Sequence, residues 1–128
     1  MSGNMEYSKK VKQHFLYPKC MGEMKDADAV GMVKNPVCGD AMKVYIKVDK
    51  KTNKIKDIKF QTIGCAAAIS SSDIACLLAK GKKLEDAEKI KARDILRELG
   101  GLPNIKEHCS LLGQDAIKKA IENYRKKK

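Results

Sequence analysis

Aromatic residues are scarce in this sequence, which has no tryptophan, two phenylalanines and four tyrosines among 128 residues. A folded core must therefore be mainly aliphatic, and the hydrophobic content of 43% is sufficient to build one. The same scarcity disfavours a single-stranded nucleic-acid binder, because such proteins stack bases on aromatic side chains.

Long hydrophobic runs are also absent. The longest apolar run extends from Ile74 to Ala79, which is far too short to cross a bilayer. The first residues, Met1–Glu6, contain no apolar stretch of the kind that secretory signals carry. We therefore expect a cytoplasmic protein with no membrane partner.

Acidic residues are outnumbered by basic ones, 16 against 27, which gives a net charge of +11. This balance alone favours one alternative function, a basic nucleic-acid-binding domain. The lysines are spread along the chain, however, as on a solvated surface, and an acidic protein partner would explain the charge equally well. We therefore do not expect a nucleic-acid partner.

Apolar and polar residues alternate along the clearest predicted strand, Met42–Val48. The apolar set should face a core, while Lys43, Tyr45 and Lys47 should face solvent. A polar turn follows, and residues 55–63 predict the second strand of a hairpin, with Ile58, Phe60 and Thr62 inward. A short first strand, Ala29–Val33, should add to this hairpin, since an isolated hairpin is only marginally stable.

The remaining periodic segments predict helices. The first covers residues 5–16, with Tyr7, Val11 and Phe15 on one face. The others are Ala66–Ala79 closed by Gly81, Leu84–Ile90, Ala92–Leu99 and Ser110–Tyr124. The sequence thus predicts one α+β domain over residues 1–128, a three-stranded antiparallel sheet with helices packed mainly on one face. Residues 1–4 and 125–128 should be frayed.

Five cysteines in a chain without an export signal are not expected to form a disulfide framework. Cys38, Cys65 and Cys109 each lie at the end of a predicted element, and the last two precede helices. Helix N-termini favour thiolate, the form that binds metal. Asp40 and His108 lie beside two of these thiols as candidate fourth ligands. Composition and spacing leave a metal site and three unrelated thiols equally open.

The other candidates have simpler interpretations. Cys76 lies in a helix among apolar residues, which predicts a core position. Cys20, in an irregular polar segment, is expected to be a solvated bystander. His14, in the first helix, is expected at the surface.

Several stretches together resemble the IscU and NifU N-terminal family of iron–sulfur cluster assembly scaffolds, nearly from end to end. The similarity is carried by Tyr7–Val11, Cys38–Asp40, Met42–Val48, Phe60–Cys65, Ala68–Ser72, Gly81–Ala87, His108–Ser110 and Asp115–Ile117. The interval from Cys65 to Cys109 has no long insertion, as in the IscU-type branch.

The resemblance implies that Cys38, Cys65 and Cys109 hold a nascent [2Fe–2S] cluster, with Asp40 or His108 completing the site. It implies a scaffold rather than an enzyme, a cysteine desulfurase as sulfur donor, and apo iron–sulfur proteins as acceptors. Iron is then the metal. Zinc on the same thiolates, in a protein that accepts persulfide sulfur, is the alternative. The sequence also leaves a homodimer open.

Two departures from the family pattern concern partners and thiols. The family's chaperone-recognition stretch, Leu-Pro-Pro-Val-Lys, reads here as Leu102–Lys106 with Asn104 and Ile105. This change weakens the expectation of a DnaK-type chaperone partner. The usual Asn-Pro-Arg-Asn after the first helix is replaced by Tyr17–Cys20, which introduces the additional thiol.

Overall fold

The computed structural model describes residues 9–34, 39, 41–63, 66–100 and 110–126. The elements follow the order helix, three strands, four helices, as predicted. They are α1 (Lys9–Leu16), β1 (Ala29–Lys34), β2 (Ala41–Asp49), β3 (Lys54–Ile63), α2 (Ala66–Ala79), α3 (Leu84–Ala87), α4 (Ala92–Leu99) and α5 (Ser110–Lys126). Among the described residues, no helix is long and apolar enough to span a membrane.

The three strands form an antiparallel meander in the order β1-β2-β3. The inward residues of β2 are buried, as the alternation predicts: Met42, Val44, Ile46 and Val48. Near the start of β3 the register shifts, so that Lys47 pairs with Asp57 and Val48 pairs with Ile55. The extra residue changes the alternation and turns Ile55 inward as well as Ile58 and Phe60.

Helices α2 and α5 cover the inward face of the sheet and bury an aliphatic core, so the predicted α+β class is confirmed. The predicted stripe of α5 is buried: Ala116, Ile117, Ala120, Ile121 and Tyr124. Helix α2 carries buried serines that bond across the interfaces. Ser70 Oγ donates to Val11 O at 2.7 Å, and Ser72 Oγ lies 3.1 Å from the sulfur of Met42.

Helix α5 approaches β1 more closely than a side chain would allow. A Cβ placed on Gly31 would lie 2.3 Å from Ala120 N and 2.5 Å from Ala116 O. Asn123 Nδ2 donates to Val30 O at 2.7 Å beside this contact. Glycine at position 31 and alanines at 116 and 120 therefore set the distance between the helix and the sheet.

Several local predictions are corrected by packing. Tyr45, expected to face solvent, is only 4% exposed, and its hydroxyl donates to Gln61 Oε1 at 2.5 Å. Phe15, predicted to share a helix face with Val11, is 41% exposed, whereas Val11 is buried. Helix α3 ends at Ala87 rather than Ile90, because the backbone N–H groups of Lys89 and Ile90 donate to the carbonyl three positions back, not four as in an α-helix. Helix α5 continues through Arg125, whose guanidinium lies 2.7 Å from Glu88, where fraying was expected.

The predicted exposure of Cys20 and His14 is wrong, because both contact the buried carboxylate of Asp73. Asp73 Oδ1 accepts the backbone N–H of Cys20 at 2.8 Å. Asp73 Oδ2 lies 2.5 Å from His14 Nδ1. Segment 20–22 also pairs with β3, since Phe60 N donates to Cys20 O and Gly22 N donates to Phe60 O. We call the group His14, Cys20 and Asp73 the Asp73 clasp.

Burial makes the two described thiols poor nucleophiles. Desolvation, reinforced by the charge of Asp73, raises the pKa of Cys20 from 9.0 to about 11. Desolvation also raises the pKa of Cys76, which is fully buried in α2, so its predicted core position is confirmed. Neither thiol is therefore a reactive nucleophile at neutral pH.

Replacing Gly31 with alanine should destabilise the protein, because the added methyl group meets the backbone of α5. We expect a loss of roughly 1–3 kcal/mol, the usual range for overpacking. Urea unfolding followed by circular dichroism measures it. Met32→Ala is the matched control, since Met32 is 53% exposed on the same strand. Equal midpoints for the two variants would contradict the close contact.

Cys20 and Cys76 should resist iodoacetamide in the native protein at about pH 8 and react after denaturation. Mass spectrometry of alkylated peptides measures this difference. Rapid native labelling of Cys20 would refute its burial.

The free energy of unfolding should fall as pH rises from 9.0 to about 11, because the folded state holds the Cys20 proton more tightly than the unfolded state does. Cys20→Ala should remove that part of the pH dependence.

Candidate functional site

All five predicted site residues lie outside the described residues: Cys38, Asp40, Cys65, His108 and Cys109. The structure does describe the elements from which their segments depart. These flanking residues are Lys34 and Ala41 around segment 35–40, Ile63 and Ala66 around segment 64–65, and Ser110 after segment 101–109.

The strand register brings the first two departure points together. Lys34 pairs with Ala41, and Ala41 pairs with Ile63. Neighbouring strands lie about 4.8 Å apart, so these three strand-end residues lie side by side at one end of the sheet. We call it the Ile63 end. The opposite end of the strands, at the β2–β3 turn, we call the hairpin end.

Helix α5 also begins at the Ile63 end. Its C-terminal Arg125 contacts Glu88, which directly follows α3. Helix α3 is bound to the hairpin end, because Leu84 N donates to Asn53 O at 3.1 Å. The 17 residues of α5 span about 25 Å, close to the length of β2, so its other terminus lies toward the Ile63 end.

Two helix N-termini therefore lie at the same end of the molecule. Helix α2 starts three residues after Ile63 and finishes at the hairpin end, where Gly81 N donates to Ile55 O at 2.8 Å. Neither α2 nor α5 has an acidic residue in its first turn. The positive ends of both helix dipoles are thus directed to one region, which favours anions and thiolates.

The outer face of the sheet at this end is partly apolar. Ile63 is 77% exposed and Met32 is also exposed, while Leu111 is exposed nearby in the first turn of α5. A depression of about 390 Å³ is lined by Met32, Ala41, Lys43, Gln61, Thr62 and Ile63. Lys43 Nζ lies 5.2 Å from the ring centre of Tyr45, which adds a cation to this face. Sequence alternation predicted the outward position of Lys43 but placed Thr62 inward, and it did not predict a depression here.

Within the described ranges, no group of three or more His, Cys, Asp or Glu residues is arranged to hold a metal ion. The Asp73 clasp lies on the α1 side of α2 and is a packing contact. Sequence reasoning missed it, although one signal was present: Asp73 is the only charged residue in α2.

Comparison with known proteins identifies the family. Residues 6–128 match the model described as NifU-like N terminal domain. The chain is 54% identical over 121 residues to iron-sulfur cluster assembly scaffold protein IscU 1 of Archaeoglobus fulgidus, covering 94% of this chain and 78% of that protein. It is 46% identical to the iron-sulfur cluster assembly scaffold protein IscU of Buchnera aphidicola, covering 97% and 98% respectively.

A solved structure shows the same fold. The putative iron-sulfur cluster assembly scaffold protein for the SUF system from Fervidobacterium islandicum superposes with a TM-score of 0.73 at 25% identity. The alignment covers 90% of this chain and 96% of that one. The match over nearly the whole chain confirms the resemblance inferred from the motifs, and the chain belongs to the NifU-like N-terminal domain family.

Proposed function

We propose that this protein is a scaffold on which a [2Fe–2S] cluster is assembled and from which it is transferred to apo-proteins. Cys38, Cys65 and Cys109 would be the thiolate ligands, with Asp40 or His108 in the fourth position. The observation that carries this proposal is the common location of the described flanking residues, at an end where two helix N-termini also lie.

The cluster is the cargo of the proposed reaction, so the site must bind it and also release it. Thiolates are the usual ligands of iron–sulfur clusters, and four would hold a cluster firmly. A carboxylate or imidazole in one position gives a weaker ligand set that an acceptor's thiolates can replace. A site at the end of the sheet, rather than in the core, suits this exchange.

The names of the relatives support the same function, since they describe iron–sulfur cluster assembly scaffolds. We infer that the chain acts as a carrier without turnover of its own, within one domain over residues 1–128. A cysteine desulfurase would supply the sulfur, and apo iron–sulfur proteins would accept the product.

Anaerobic reconstitution tests the proposal. The apo-protein is incubated with ferrous iron, sulfide and reductant, and iron and acid-labile sulfide are measured together with the visible spectrum. Charge-transfer bands and equal iron and sulfide contents support a [2Fe–2S] scaffold. Zinc that is retained without labile sulfide would instead indicate the zinc-bound sulfur acceptor. Salt-sensitive nucleic-acid binding with no cluster would indicate a nucleic-acid-binding domain.

Single replacement of Cys38, Cys65 or Cys109 by serine should abolish stable cluster binding, because each removes one of three thiolate ligands. Visible absorption after reconstitution measures the effect. Cys76→Ser is the matched control, since Cys76 is buried in α2 and should leave the cluster intact. Cys20→Ser should also retain it. A Cys65→Ser protein that keeps its cluster while Cys76→Ser loses it would show that the ligand set is wrong.

Replacing Asp40 with alanine should slow cluster release, because it removes the harder and more exchangeable ligand and leaves water or His108 in its place. The variant should lose its cluster to a chelator more slowly and transfer it more slowly to an apo-ferredoxin. Both rates are measured by absorbance on anaerobically reconstituted proteins. Equal or faster loss from Asp40→Ala would mean that the carboxylate does not make the cluster labile.

A further inference from the structure

A second exposed apolar surface lies away from the proposed ligands. Seven large apolar side chains are exposed among the described residues, and three of them, Met32, Ile63 and Leu111, flank the Ile63 end. The other four fall within seven consecutive residues at the end of α1 and just beyond it. We call them the α1 patch: Phe15, Leu16, Tyr17 and Met21, exposed by 41%, 62%, 74% and 39%.

The α1 patch is held in place by buried bonds. The Asp73 clasp ties α1 to α2 through His14, and it ties the following segment through the backbone of Cys20. Met21 lies between Cys20 and Gly22, whose backbone groups bond to Phe60 of β3 at 2.9 and 2.8 Å. Apolar side chains on a fixed backbone lose little conformational entropy on binding, so this surface is preorganised for a partner.

The segment that carries the α1 patch has charges of one sign. From Lys9 to Gly22 the chain contains no aspartate or glutamate, and Lys9, Lys10, Lys12 and Lys19 are exposed. Lys59 of β3 adds a cation beside Gly22, because a Cβ placed on Gly22 would lie 3.7 Å from the Cδ of Lys59. A partner that matches this surface has an apolar depression bordered by carboxylates.

The position of the patch relates it to the proposed site. Met21 pairs with Phe60, three residues before Ile63, which is about 10 Å along the strand. His14 bonds to Asp73, seven residues after the start of α2, which is also about 10 Å along the helix. A protein docked on the α1 patch would therefore reach the Ile63 end.

We infer that the α1 patch, with its surrounding lysines, is the docking surface for an acidic apo-acceptor protein. This inference rests on the proposed function, which requires an acceptor to reach the cluster and then leave. Four side chains expose on the order of 400 Å², which suits a transient complex rather than a permanent one. Methionine and lysine side chains adapt to differing surfaces, as a scaffold with several acceptors requires.

Calorimetry with an acidic apo-ferredoxin tests the inference on the apo-protein of 128 residues. Leu16→Ser/Tyr17→Ser should raise the dissociation constant at least roughly tenfold, because two exposed anchors are lost. Lys12→Gln/Lys19→Gln should raise it severalfold, with less effect at high salt. Lys50→Gln/Lys51→Gln is the matched control at the hairpin end. Each lysine pair removes two of the eleven net charges, so both variants carry +9, and the control should bind like wild type.

The outcomes separate this inference from the proposed function. All variants should form the cluster normally by visible absorption, since none alters a proposed ligand. Apo-ferredoxin that fails to bind wild type, or binds Leu16→Ser/Tyr17→Ser equally well, would overturn the inference and leave the scaffold proposal intact. Equal losses from the two lysine pairs would show general charge attraction only. A patch-dependent dimer, or patch-dependent binding to phosphatidylglycerol vesicles with unchanged ferredoxin binding, would assign the surface to another occupant.

Discussion

The close approach of α5 to β1 at Gly31 is the contact on which the arrangement of this protein depends. The helix backbone at Ala116 and Ala120 lies where any side chain at position 31 would be. Asn123, farther along the helix, bonds to Val30, so the two contacts together define the direction in which α5 runs along β1. The start of α5 is thereby placed toward the same end as the pairing of Lys34, Ala41 and Ile63.

Antiparallel pairing then explains how distant segments can serve one site. The positions 38 and 65 are 27 residues apart, and 65 and 109 are 44 apart. A meander returns the chain to the Ile63 end at the close of β3, and the chain between the end of α2 and the start of α5 returns it again. The proposed cluster would then be held at the margin of a rigid core, where incoming iron, sulfur and acceptor thiolates have access.

The Asp73 clasp illustrates a different use of a buried charge. A carboxylate inside a protein is costly unless it is bonded, and Asp73 meets that requirement with His14 and the backbone of Cys20. The bonded segment carries Leu16 and Tyr17 outward, so buried polar contacts stabilise the position of exposed apolar side chains. The clasp thus fixes the backbone that carries these exposed side chains.

The local periodicity of the sequence was sufficient to determine most of the elements. The alternation in Met42–Val48 predicted β2, the span Ala66–Ala79 followed by Gly81 predicted α2, and the stripe ending at Tyr124 predicted the buried face of α5. These features could be predicted because alternation and helical spacing depend on neighbours within one or two turns. The motifs likewise identified the family from residues adjacent in the chain.

Tertiary structure decided the features that depend on distant partners. Cys20 and His14 looked exposed because Asp73 is 53 and 59 positions away, and Tyr45 looked solvated because Gln61 lies on another strand. Cys38, Asp40, Cys65, His108 and Cys109 remain predictions from the sequence. The structure contributes the common end from which their segments depart. Sequence spacing could not provide that proximity, because it is created by strand register and by the direction in which each helix packs.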